Sequence, residues 1–336
     1  MLKYIIISYR PKSKCDGSSR NSGNASGKMA VLLAFCCLGF AAVNDFIFKL
    51  YARKERSRGV FVFAVGLFYT LLVAFLPDWW GDSWQRTLCW GLLCGSFSVV
   101  GNILLIESMS RLSAGVCSTV YRLNLLLVVP LAMLFFHESL MWYQWAGIAA
   151  ALLAVIAFMP VGEKIAAGRK SDYVMLILAM TMRAGLGLAN KAALCNGAAE
   201  NGLQVIIGGC WIIGGLVYYL LREYRSMPPA RAFDRKTFGY GALSGVFVAG
   251  ILIFMVKSLK YGEASIVLPI QQMSFLATFF LGVIFLKEKI TLRKIAALVC
   301  GAAALLLLSY SKPKATASPA PAAPASETTT ATEVQK

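Results

Sequence analysis

The chain has 336 residues, 58% of them hydrophobic and 15% charged, with a formal net charge of +17 at pH 7. Soluble domains carry about 25% charged residues, so this composition excludes an ordinary soluble enzyme. The charges lie in short runs between long apolar stretches. Because no basic motif sits on a polar domain, the positive charge does not indicate a nucleic-acid partner.

The two ends of the chain are polar. Residues 1–28 contain only a four-residue apolar run, which is too short for a signal peptide. We expect these residues to form a disordered extension, or to be absent from the protein if translation starts at Met29. Residues 311–336 are rich in Pro, Ala and Thr, which predicts a disordered tail.

Between the ends, apolar stretches of about 20 residues are long enough to cross a bilayer as helices. The alternation typical of membrane strands is absent, so we predict an all-α membrane protein with ten transmembrane helices. The first five helices form a repeat at 29–160 and the last five a repeat at 173–310, joined by a loop at 161–172. The predicted spans are 30–48, 60–76, 88–107, 116–136, 142–159, 173–190, 203–221, 238–256, 264–286 and 292–309.

The chain resembles itself at a shift of 150 residues, which carries the third predicted span onto the eighth. Gly91 and Gly95 fall on Gly241 and Gly245, and 13 of the 66 positions from 91 to 156 are identical. The shift covers five spans, and because five is odd the second repeat must be inverted. Inverted repeats are typical of transporters that expose a midplane site to each side in turn.

Basic residues in the predicted loops indicate how the chain is oriented. The odd-numbered loops, counted with Arg293 and Lys294 at the start of the last span, hold 18 Lys and Arg residues, and the even-numbered loops hold 4. Because positive loops stay on the cytoplasmic side, we expect the odd loops to face the cytoplasm and both chain ends to lie outside.

Charged and amide side chains fall inside the predicted spans, where ionisable groups are costly and usually functional. Glu107 and Arg122 flank a turn at Gly115, so we expect them at similar depths, either lining a cavity or forming a structural ion pair. Asp45 is a candidate proton-coupling carboxylate. Arg183 could hold a substrate carboxylate or phosphate, or partner another helix. The remaining cavity-lining candidates are amides that suit a solute or a neighbouring helix equally: Asn44, Asn124, Asn190, Gln271 and Gln272.

Several segments resemble the EamA-type transporters of the drug/metabolite transporter superfamily. VNDFIFKLYA resembles their Asn-x(4)-Lys pattern, at Asn44 and Lys49. SRLSAGVCSTV and KYGEASIVLPI resemble their hairpins between spans 3 and 4 and between spans 8 and 9. Glu138 and Glu288 lie in turns that resemble the family's Gly-Glu-x-Leu turn, and we interpret both as structural. The resemblance covers about 30–309 and implies a ten-span carrier of small metabolites, with spans 5 and 10 at the periphery.

We therefore predict a multi-pass permease of the cell (inner) membrane that moves a small polar or amphipathic metabolite by alternating access, as a monomer or homodimer. The lipid bilayer surrounds it, and no cofactor is expected. Proton-coupled export and simple facilitation both remain open, while the absence of a Walker loop excludes ATP as the driving force.

The alternatives are a membrane-embedded lipid-modifying enzyme and a non-transporting scaffold. An enzyme would need a motif such as HExxH or GxSxG, and the sequence contains neither. The single histidine, His137, and the lack of a CxxC pair exclude the usual metal and catalytic sets, so no catalytic or metal-binding residue is predicted.

Overall fold

The computed structural model describes residues 23–52, 56–81, 83–109, 117, 120–157, 170–286 and 291–310. Within these ranges the regular secondary structure is helical, and no strand occurs. Five predicted features lie wholly or partly outside the described residues: the extension over 1–22, the turn at 113–115, the loop over 161–169, the turn at Glu288 and the tail at 311–336.

The described residues form twelve helices that follow the predicted spans in order. Seven segments are long and apolar enough to cross a membrane, and three shorter apolar segments, Arg58–Ala74, Val120–Phe136 and Trp142–Ala157, lie between them. A π-helical turn, Tyr219–Glu223, extends the seventh helix. The helices are α1 (Gly23–Ala52), α2 (Arg58–Ala74), α3 (Trp84–Met109), α4 (Leu125–Phe136), α5 (Trp142–Ala157), α6 (Lys170–Cys195), α7 (Glu200–Tyr218), α8 (Pro229–Ala232), α9 (Arg235–Tyr261), α10 (Ala264–Gln272), α11 (Ser274–Leu286) and α12 (Leu292–Ser309).

Helix α1 begins earlier than the sequence predicts. It starts at Gly23, so residues 23–28 are helical and not part of a disordered extension. The segment contains no proline that would end the helix. In addition, Ser26 Oγ donates to the carbonyl oxygen of Tyr261 at 3.2 Å, which ties the first turns of α1 to the end of α9.

Helices from the two halves of the chain pack against each other, and α1 and α9 form an antiparallel pair. In the α1–α9 pair, Cys37 Sγ donates to the carbonyl oxygen of Ile251 at 3.3 Å. Two turns further along α1, the Oδ1 of Asn44 accepts from Ser244 Oγ at 2.6 Å. Residue numbers therefore rise along α1 as they fall along α9. The predicted first and eighth spans thus run in opposite directions.

The repeated glycine pairs lie at matching interfaces. At each of them a Cβ atom would come within 3 Å of a facing side chain, so only glycine permits this approach of the two helices. In both interfaces the residue numbers of the two contacting helices rise in the same direction, so the paired helices run parallel. The contacts join Gly91 to Ile206 and Gly95 to Cys210 between α3 and α7, and Gly241 to Ala64 and Gly245 to Phe68 between α9 and α2.

The direction of α3 relative to α9 follows from a third interface, between α2 and α7. A Cβ on Gly59 would lie 2.6 Å from the backbone nitrogen of Tyr219, and one on Gly66 would lie 2.7 Å from that of Ile212. Helices α2 and α7 are therefore antiparallel. Because α3 is parallel to α7 and α9 is parallel to α2, α3 and α9 also run in opposite directions.

Helices α5 and α12 pack on each other. A Cβ on Gly147 would lie 2.9 Å from the Cγ of Leu308, and the rings of Tyr143 and Tyr310 have centroids 5.4 Å apart.

Many large apolar side chains of the described helices are exposed, and Phe75 is 87% exposed. Exposed apolar surface on this scale fits a protein surrounded by lipid.

Candidate functional site

Two of the predicted spans, the fourth and the ninth, are interrupted at equivalent positions 150 residues apart. The first breaks at Leu123 and Asn124, before α4, and the second breaks at Met273, between α10 and α11. At both breaks an N–H donates to the carbonyl oxygen three residues earlier, whereas in an α-helix the acceptor lies four residues earlier. Leu126 N donates to Leu123 O at 2.9 Å, and Leu276 N donates to Met273 O at 3.0 Å. Each of the predicted spans at 116–136 and 264–286 therefore contains a break that the sequence analysis did not predict.

The second break leaves the carbonyl oxygen of Gln272 without its helical donor, because Leu276 N donates one residue further along. The guanidinium of Arg122 forms a hydrogen bond with this oxygen. Its Nη1 donates to Gln272 O at 2.7 Å and to Ser274 Oγ at 3.0 Å. A carbonyl released by one interrupted helix thus binds a side chain at the break of the other.

Asp45 of α1 completes the network around Arg122. Its Oδ2 accepts from Arg122 Nη2 at 2.6 Å and from Ser274 Oγ at 3.2 Å. The guanidinium carbon of Arg122 also lies 5.3 Å from the centroid of the Phe275 ring. Charge-assisted hydrogen bonds of this kind are about twice as strong as neutral ones, so they hold three segments together. Arg122 Nε is buried and has no hydrogen-bond partner in the described ranges.

Glu107 and Arg122 do not form the structural ion pair that the sequence analysis gave as one of two alternatives. Glu107 accepts from Tyr218 Oη at 2.9 Å, and its carboxylate lies 3.9 Å from Arg222 Nε. The reason is the parallel packing of α3 on α7, which repeats every four residues from Gly91 and brings Glu107 to the end of α7. Asp45 and Glu107 therefore have separate basic partners.

A small cavity lies beside the two breaks. Its volume is about 10 Å³, which is room for about one water molecule. Four predicted site residues line it together, although they come from three different predicted spans. The lining side chains comprise Asn124, Arg183, Gln271 and Gln272, with Val128, Leu186, Met255 and Leu268 forming apolar walls.

Asn124 and Gln271 differ in how their amides are satisfied. Gln271 Nε2 donates to Ser258 Oγ at 2.9 Å. Asn124 is only 1% exposed, yet within the described part of the chain neither its Oδ1 nor its Nδ2 has a hydrogen-bond partner. Buried polar groups are nearly always paired, so an orphaned amide at a cavity wall points to a molecule that binds there.

Arg183 brings a second guanidinium to the cavity. Its Cζ lies 5.9 Å from the ring centroid of Tyr121, which is also within electrostatic range of Asp45 and Arg122. Among the described residues, no carboxylate lies within ion-pairing distance of Arg183. Since Arg122 is neutralised by Asp45, the described part of the site carries one uncompensated positive charge.

The two remaining candidates, Asn44 and Asn190, do not line this cavity. Asn44 binds Ser244, and this contact ties α1 to α9. Asn190 is fully buried, and its Nδ2 donates to the carbonyl oxygen of Leu186 in its own helix at 2.9 Å, while its Oδ1 has no partner among the described residues. Both amides therefore lie in the packed interior and outside the cavity lining.

Glu138 and Lys191 hold the hairpin between α9 and α10 from both sides. The Glu138 carboxylate accepts from the first two N–H groups of α10, at 2.8 and 2.9 Å. Lys191 Nζ donates to the carbonyl oxygens of Leu259 and Gly262, at 2.7 and 2.5 Å. The sequence analysis placed Glu138 in a structural turn but passed over Lys191. A lysine directly after an apolar span was the available signal.

Comparisons with known proteins agree with this arrangement. The sequence model of the EamA-like transporter family matches residues 28–159 and 170–310, one match in each half. A solved crystal structure of a protein superposes with a TM-score of 0.58 at 14% identity, over 86% of this chain and 96% of that one. At this identity the likeness shows the fold alone. No curated protein has a significant match to the chain.

Proposed function

The chain belongs to the EamA-like transporter family, and from this premise we propose that it moves a small polar or amphipathic metabolite across the cell (inner) membrane. It works as a secondary transporter by alternating access. Membership of a transporter family favours this function over the lipid-modifying enzyme and the scaffold.

The proposed architecture is ten transmembrane helices in two inverted five-helix repeats, at 29–160 and 173–310. Three observations support it: the opposite directions of α3 and α9, the matching glycine interfaces, and the two breaks 150 residues apart. The shorter helices also fit. Helix α2 has 17 residues, and its length of about 26 Å approaches the roughly 30 Å of a bilayer core.

One observation carries the transport mechanism: Arg122 of the first repeat binds the carbonyl oxygen of Gln272 at the broken helix of the second repeat. Interrupted helices near the midplane are where transporters bind solutes, because their unpaired backbone groups face a cavity. In our proposal the solute enters beside this contact and competes for it. Rocking of one repeat against the other then opens the cavity to the opposite side.

Asp45 is the proposed coupling carboxylate. Protonation would remove its negative charge and weaken its hold on Arg122 and Ser274, which frees Arg122 for the solute. Proton-coupled export and simple facilitation differ in one measurable respect, because only the first responds to a pH gradient. The odd-numbered loops face the cytoplasm in this proposal, and the carrier acts as a monomer or homodimer.

The test is uptake of labelled metabolites by proteoliposomes that contain the purified full-length protein, with and without a pH gradient. We expect uptake by the wild type and at least tenfold slower uptake by Arg122→Gln. Arg231→Gln is the matched control, since Arg231 is exposed in α8. Wild-type rates in a folded Arg122→Gln protein would reject the mechanism. A wild type that transports nothing would support the scaffold instead.

A further inference from the structure

We propose that the cavity binds a small oxyanion, a carboxylate or phosphate, through Arg183 and Asn124. This proposal rests on the transport function and deepens it by naming the chemical class of the solute. A hydrogen-bond donor next to the anionic group would complete the fit.

The first argument is charge. Arg122 and Arg183 bring two guanidinium groups to this region, Arg183 beside the ring of Tyr121, and the carboxylate of Asp45 is bound to Arg122 at 2.6 Å. Arg183 lines the cavity, and among the described residues no acidic side chain compensates it. An uncompensated arginine within a membrane span is costly unless a counter-ion joins it, so the site favours an anionic ligand. A guanidinium also matches the paired oxygens of carboxylates and phosphates.

The second argument is the amide of Asn124, which is independent of charge. Among the residues that the structure describes, its Nδ2 is an unused donor and its Oδ1 an unused acceptor, and the side chain is 1% exposed. A ligand that satisfies both atoms must offer an acceptor and a donor. An oxyanion with a hydroxyl or amino group beside it has both.

The third argument is the lining. In this conformation the cavity of about 10 Å³ holds about one water molecule, so in our proposal the ligand enters when the two repeats move apart during transport. Val128, Met255 and Leu268 line the wall and would pack against a short carbon skeleton. A large amphipathic cation would face Arg183 and bring like charges together.

The test uses four solutes with one three-carbon skeleton: glycerate, glycerol 3-phosphate, neutral glycerol and cationic 3-aminopropane-1,2-diol. The thermal unfolding midpoint of the detergent-purified full-length protein is measured with each solute up to about 50 mM, because a ligand of the native state raises that midpoint. We expect protection by at least one anion and none by glycerol or the cation. The better anion separates a carboxylate site from a phosphate site. Protection by neither anion, or equal protection by glycerol, would overturn the proposal.

The variants assign the site to Arg183. We expect Arg183→Gln to bind the protective anion about tenfold to a hundredfold more weakly, because a charge-assisted contact is lost. Arg183→Lys should retain part of the affinity and serves if Arg183→Gln does not fold, and Arg231→Gln is the control. Unchanged anion affinity in the Arg183 variants would refute the assignment.

Flux in proteoliposomes separates the two proposals. A wild type that moves glycerol or the cation but neither anion is a transporter without an oxyanion site. A wild type that binds an anion at Arg183 but moves none of the four solutes has the site and lacks the function.

Discussion

Arg122 donates a 2.7 Å hydrogen bond to the carbonyl oxygen of Gln272, the residue that occupies the equivalent place 150 positions later in the other half of the chain. The two positions hold different residue types, an arginine and a glutamine. Equivalent backbone breaks therefore acquire unequal roles, because one supplies the carbonyl oxygen and the other the cation. The predictions below test this contact's partner and its surroundings.

The ion pair of Asp45 and Arg122 should respond to substitutions as a coupled unit. Asp45→Asn leaves Arg122 without its carboxylate, and we expect a loss of about 2 kcal/mol, below the roughly 3–5 kcal/mol of a fully buried pair. The smaller figure reflects the 37% exposure of the Asp45 side chain. Adding Arg122→Gln should recover part of the loss, since no charge then stands alone. Thermal unfolding in detergent measures both variants, and a double variant less stable than Asp45→Asn would contradict the coupling.

Two glycines of α7 should respond in opposite ways to alanine. A Cβ on Gly215 would lie 2.4 Å from the backbone nitrogen of Phe63, whereas one on Gly209 would meet nothing within 4 Å. Gly215→Ala should therefore push α2 and α7 apart and cost about 1–3 kcal/mol. Gly209→Ala should be neutral or stabilise by up to about 1 kcal/mol through helix propensity. Unfolding midpoints decide the matter, and equal midpoints would mean that the two helices are not in close contact.

Removing the Glu138 carboxylate should loosen the start of α10. Glu138→Gln can no longer satisfy two N–H groups with a charged acceptor, and we expect a loss of about 1–2 kcal/mol, as for other helix caps. Glu200→Gln is the control, because Glu200 pairs with Lys260 near the surface, where ion pairs contribute about 0–1 kcal/mol. Hydrogen exchange of the α9–α10 hairpin should rise only in Glu138→Gln. A similar rise in both variants would assign no special role to Glu138.

Thiol labelling on intact cells tests the orientation. In a Cys89→Ser background, which removes an exposed thiol, cysteine is placed at Asp78 in an even loop or at Arg231 in an odd loop; both positions are exposed. A membrane-impermeant reagent should label Asp78→Cys from outside and Arg231→Cys only after the membrane is opened. The reverse pattern would invert the orientation.

The sequence predicts the helical body well because its signals are local or repeated. Gly91 and Gly241 indicate close helix contacts, and both lie at such contacts. Asn124, Arg183, Gln271 and Gln272 were predicted to line a cavity, and they line one cavity in the structure. That this cavity takes a solute stays a prediction.

The partners of the charged residues could not be predicted in the same way. Whether Arg122 meets Glu107 or Asp45 depends on the rotation of α3 about its axis, which α7 sets through contacts more than a hundred residues away in sequence. The breaks were also hidden, because the apolar residues Leu123 and Met273 do not interrupt a hydrophobic pattern. The breaks become visible only in the hydrogen bonds, where the acceptor lies three residues before the donor and not four.

The pairing of α1 with α9 has a consequence for biosynthesis. Asn44 meets Ser244, a partner 200 positions later, so α1 leaves the ribosome long before α9 exists. Contacts this distant in sequence close late and slow folding. During that interval Asp45 lacks Ser274 as well, and the nascent first half must wait in the bilayer with its polar face unmatched. Insertion factors or chaperones that shield this face would therefore determine the yield of the finished protein.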